Sequence, residues 1–102
     1  MKFVVNKDEL SENPGRFLQR AGYGYVQDKY SGQDNFVRRL TRAHYPRFHI
    51  HFKEQDKQII FNLHLDQKQP SYAGAHAHNA EYEGEVVEAE IERLKSLVTN
   101  NS

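Results

Sequence analysis

The chain has 102 residues and a mass of 12.0 kDa, the size of a single domain (1–102) built round one core. It contains no cysteine, which excludes a disulfide framework, thiol chemistry and any zinc site built on thiolates. Net charge is zero but uneven: residues 1–53 carry ten Lys/Arg against five Asp/Glu, and residues 54–102 carry four against nine.

At 37% hydrophobic residues and a mean hydropathy of -0.89, six Tyr and six Phe must supply much of the core. No apolar run approaches a membrane span and "MKFVVNKDEL" lacks a signal-peptide core, so the expectation is a soluble cytoplasmic protein without membrane contact. "KFVV" reads as a short strand or an arm. In "ENPGRFLQRAGYGY" a helix starts and stops: Asn13 can cap it, Pro14 suits its first position, and Gly22 suits a left-handed exit. "YGYVQDKY" is rich in β-favouring aromatics and "SGQDN" reads as a turn. Residues 35–44, "NFVRRLTRAH", fit either a helix capped by Asp34 or, over residues 35–41, a strand paired with residues 23–30; the short turn favours the strand. Pro46 ends that segment.

"RFHIHFK" and "QIIFNLHLD" alternate apolar and polar residues with period two, the mark of strands buried on one face, and a polar turn around Gln55–Asp56 makes them a hairpin. An irregular stretch follows over residues 67–84, then an amphipathic helix over 85–98 with Val87, Ile91, Leu94 and Val98 in one stripe. The expected fold is α+β with α-β-β-β-α-like order. Its antiparallel sheet has three or four strands, with the N-terminal and C-terminal helices packed on one face.

That arrangement leaves His49, His51, Asn62, His64 and Asp66 together on the open face. Histidines two apart on a strand project to the same side, and the turn decides what lies across from them. A two-residue loop pairs His49 with Asn62 and Arg47 with His64. A four-residue loop centred one residue later pairs His49 with His64 and His51 with Asn62, bringing three imidazoles and Asp66 within reach of one ion. The expected ligands are His49, His51 and His64, with Asp66, His76 and His78 as contributors, and the ion is Zn²⁺ or another divalent transition metal such as Fe²⁺, Mn²⁺ or Ni²⁺. Glu81 could act as base on a metal-bound water. The plainer reading is that these are solvated histidines on the wet side of a sheet. His44 reads as a turn or surface residue. Asp66, Lys68 and Tyr72 in "LDQKQPSY" read first as a turn leaving the sheet and second as acid–base groups. No H-E-x-x-H helix, cupin spacing or Gly-x-Ser-x-Gly elbow is present, so no reaction is assigned.

Arg38, Arg39, Arg42 and Arg47, interleaved with Phe36, Tyr45 and the nearby Tyr23, Tyr25 and Tyr30, offer a second reading as an RNA- or nucleic-acid-binding surface. The plainer alternative is that this basic region pairs with the acidic C-terminal helix. A third reading is a protein-interaction module without metal. "FLQRAGYGYVQDKYSG" resembles the helix-to-first-strand passage of HicA-type mRNA interferases, which have a double-stranded-RNA-binding-like fold. The Gly-Ser-His that this family carries on its next strand is replaced here by "SGQDNF". Across most of the chain, "NFVRRL", "YPRFHIHF", "FNLHLDQKQPSY" and "EYEGEVVEAEIERL" resemble segments of a family of small uncharacterised bacterial proteins. That resemblance implies a bacterial source and no particular activity.

Overall fold

The structure, a computed structural model, describes residues 1–27, 34–67 and 80–100. Strand β1 (Lys2–Asn6) leads through a 3-10 turn at Lys7–Glu9 into helix α1 (Pro14–Arg20). Strands β2 (Gly24–Gln27), β3 (Asp34–Arg39), β4 (Arg47–Gln55) and β5 (Gln58–Asp66) follow, and helix α2 (Ala80–Asn100) closes the order. The strands form one antiparallel sheet in the order β1-β5-β4-β3-β2, so α1 carries the chain from one sheet edge to the other.

Local chemistry explains the short α1. The Asn13 side-chain oxygen accepts from the backbone N–H groups of Gly15 (2.8 Å) and Arg16 (3.3 Å), satisfying donors that have no partner within the helix. At the other end Gly22 takes φ +104, where a side chain would be strained, and turns the chain towards β2. Pro14, Phe17 and Leu18 point inwards from this helix.

Phe3, Val5, Phe36, Phe48, Ile50, Ile59, Phe61, Leu63 and Leu65 face the same side of the sheet and join residues of α1 and α2 in one core. Val87, Ile91, Leu94 and Val98 bring α2 to that core with helical spacing, so both helices do cover one face. Glu90 lies within the same stripe, three residues after Val87 and four before Leu94, and is only 4% exposed. It is not left bare. The Tyr23 hydroxyl donates to its carboxylate at 2.6 Å, and Arg93 donates to both its oxygens at 2.8 and 2.9 Å. A second hydrogen bond from Arg93 Nη2 reaches the Ala21 carbonyl (2.8 Å), and Arg38 stands 3.7 Å from Glu90. Burial, and then the Glu90 carboxylate, hold the Tyr23 hydroxyl far above its ordinary pKa, so it remains a donor. The network ties α2 to the segment between α1 and β2.

Several expectations change. The sheet has five strands rather than three or four, because β1 pairs with β5, Phe3 opposite Phe61 and Val5 opposite Ile59. Within residues 35–44 the strand runs only as far as Arg39, and residues 40–46 are irregular before β4 starts. Helix α2 begins at Ala80, five residues earlier than the apolar stripe indicates. The hairpin loop is Asp56–Lys57, with Gln55 paired to Gln58. Asp56 takes φ 56, the left-handed conformation that tight hairpins want at this position and that Asp tolerates. Among the described residues no helix is long and apolar enough to cross a membrane.

Candidate metal centre on the open sheet face

The hairpin register sets Arg47 opposite Asp66, His49 opposite His64, and His51 opposite Asn62. The pairing that gathers the histidines is therefore realised, but by a two-residue loop one position further along than the turn expected at Gln55–Asp56. Sliding the loop by one residue moves every cross-strand partner by two, which is why so small a difference decides the site.

His49, His64 and Asp66 each offer one ligand atom, and these atoms all lie within 4.8 Å of one another. His49 Nδ1 is 2.9 Å from His64 Nε2 and 3.5 Å from Asp66 Oδ2. Four ligands at Zn–N and Zn–O lengths have tetrahedral edges of about 3.3 Å, so these two separations bracket the value an ion would impose. His51 stands outside the group, its ring centroid 6.3 Å from that of His49 and 6.2 Å from that of His64, against 4.5 Å between His49 and His64. The reason is geometric: residues two apart on a strand are further from each other than direct cross-strand partners. Asp66 takes the place given to His51 in the expected core set.

Two further residues orient the ligands. His49 Nε2–H donates to Asn35 Oδ1 at 2.8 Å, and Asn35 is 8% exposed on β3. With its proton held there, His49 turns the lone pair of Nδ1 towards His64 and Asp66. An imidazole fixed through its outer nitrogen by a carbonyl oxygen is the usual support of a metal-bound histidine. On the other side Arg47 Nε lies 3.5 Å from Asp66 Oδ2 and its guanidinium carbon 4.7 Å over the Tyr45 ring. Neither supporting role was expected from sequence. Asn35 could have been found once β3 was placed beside β4, because alternation puts it on the histidine face.

Three electron-rich atoms thus converge with one proton between the two imidazoles. Burial pushes the His64 pKa below its usual value, as does nearby His49; burial, His49 and Lys2 do the same to His51. Burial alone would raise Asp66, but the nearby His49, His64 and Arg47 outweigh that and lower it. The signs agree. Unfolded histidine takes its proton near pH 6.5, whereas folded His64 and His51 resist it, so stability is full above about 6.5 and declines as pH falls below it. Asp66, with a depressed folded value, contributes stability present above about 4 and lost as pH drops through that folded value. Thermal melts of the metal-free protein should show Tm falling from pH 7.5 to pH 5, and His64→Gln should flatten that slope; a slope unchanged by the substitution would assign the loss elsewhere.

The four arginines do not make one surface. Alternation along β3 sends Arg38 to the helix side, beside Glu90, and Arg39 to the open face opposite Arg47. Arg42 lies exposed in the 40–46 segment, as does His44. Part of the basic region therefore does pair with the acidic helix. Of the other residues singled out from sequence, Tyr30, Lys68, Tyr72, His76 and His78 lie outside the described residues, as does the side chain of Glu81. Compared with family models, curated proteins and solved structures, the chain matches none of them.

Proposed function

We propose that this domain binds a divalent transition metal ion, with Zn²⁺ the best fit, through His49 Nδ1, His64 Nε2 and the Asp66 carboxylate. Two imidazoles and a carboxylate suit zinc in a tetrahedral arrangement and leave a fourth position on the open side of the sheet. The observation that carries the reading is the convergence of these three atoms, 2.9 and 3.5 Å apart about His49 Nδ1, with His49 oriented by buried Asn35. His64, whose Nε2–H points at His49 in the metal-free state, would move that proton to Nδ1 to bind.

Calorimetric titration of untagged, chelator-treated protein with Zn²⁺ at pH 7.5 is expected to give one ion per chain. At a hundredfold excess of free ion over Kd, the folded state should gain about 2.7 kcal/mol, read as a rise in Tm that EDTA reverses. His49→Ala combined with His64→Ala should abolish the binding, and His51→Ala should leave most of it. Affinity should fall as pH drops through the folded pKa of His64, which lies below the ordinary histidine value, because protons and the ion compete for the same lone pairs. Heat-silent titration with a Tm indifferent to zinc would return these histidines to solvated surface chemistry.

A further inference from the structure

The cluster has a basic flank. In the row next to the His49–His64 pair, Arg39, Arg47 and Asp66 stand side by side across β3, β4 and β5. Direct cross-strand neighbours are about 5 Å apart, so Arg39 starts about 10 Å from Asp66, within the reach of an extended guanidinium. Arg47 is engaged with Asp66 and Tyr45. Arg39 is exposed and has no ion-pair partner among the described residues. Like charges directly opposed across an antiparallel pair are destabilising, and the single carboxylate of Asp66 relieves only one of the two. The row is therefore one negative charge short even before an ion arrives.

With the ion in place the deficit grows. A divalent metal, Arg47 and Arg39 outweigh Asp66 by three charges, all beside one open coordination position. The planar fork of Arg39 matches two oxygens of a phosphoryl group, whereas a single-point ligand such as chloride would leave most of its donors unused. We propose that the open position takes a small dianionic oxyanion of the phosphate class, one oxygen on the metal and others on Arg39. This rests on the metal reading above.

Cobalt(II) provides the probe, because its visible absorption reports changes in coordination. The Co²⁺-loaded protein is titrated with methylphosphonate and, in parallel, with acetate, and cobalt retained by the protein is counted after gel filtration. The expected result is a saturable spectral change with cobalt retained, at lower concentrations of methylphosphonate than of acetate. Arg39→Gln should weaken methylphosphonate binding about tenfold. Arg42→Gln, which removes the same charge from the exposed 40–46 segment, should not weaken it. Cobalt binding with a spectrum indifferent to methylphosphonate, equal affinity for acetate, or equal weakening by the two substitutions would overturn the oxyanion assignment and leave the metal centre standing. Failure of the wild-type protein to take up cobalt would overturn both.

Discussion

Replacing Phe61 by Ala is expected to lower the free energy of unfolding by about 3–5 kcal/mol. Phe61 has no exposed surface. Its ring stacks on Phe3 at 4.9 Å between centroids and meets Phe17 at 6.3 Å and Phe52 at 5.8 Å, so one side chain joins β1, α1 and β4 to β5. Removing it leaves a cavity between elements that cannot close over it without giving up the sheet register. Since a domain of this size has about 5–15 kcal/mol in total, the variant should lie near the edge of stability. Chemical denaturation monitored by circular dichroism measures this, with Phe61→Leu as the milder control at less than about 2 kcal/mol. Because Phe61 and His64 project from opposite faces of β5, the folded fraction of Phe61→Ala should keep its Zn²⁺ affinity; a cost under about 1 kcal/mol would mean that neighbouring side chains fill the space.

What could be seen in the sequence was local. Asn13, Pro14 and Gly22 mark the bounds of α1 because capping and exit chemistry act within a few residues. The alternation of "RFHIHFK" and "QIIFNLHLD" assigns the histidines to one face by period alone. The parts that escaped depend on contacts distant in sequence or on one backbone angle. "KFVV" is too short to announce its partner, and β1 becomes a strand only by pairing with β5 some sixty residues later. The histidine register turned on Asp56 adopting φ 56, which alternation cannot reveal. Glu90 was legible in principle: the spacing from Val87 to Leu94 places it inside the buried stripe, and a carboxylate there demands partners. The acidic crowd on α2 hid it, because glutamates ordinarily face solvent.

Glu90→Ala is expected to cost about 3 kcal/mol, although it removes a charge that was itself expensive to bury. The cost comes from what stays behind. Tyr23, 3% exposed, would keep a hydroxyl with no acceptor, a loss of about 1–3 kcal/mol. Arg93 would lose both its carboxylate bonds and with them much of its hold on the Ala21 carbonyl. Because the Arg93 and Arg38 side chains are 34% and 35% exposed, water can take over part of their solvation, which keeps the total at the low end of the roughly 3–5 kcal/mol typical of breaking a fully buried pair. Glu90→Gln should cost less, about 1–2 kcal/mol, since an amide oxygen can still accept from Tyr23. Tyr23→Phe on the Glu90→Ala background should recover stability, because it removes the stranded hydroxyl. Denaturant midpoints for the wild type, Glu90→Ala, Tyr23→Phe and the double variant form a double-mutant cycle, and the coupling between positions 23 and 90 should be about 1 kcal/mol or more. A cycle that closes with no coupling would show that α2 is held by its apolar stripe alone, with the polar network a passenger on that packing.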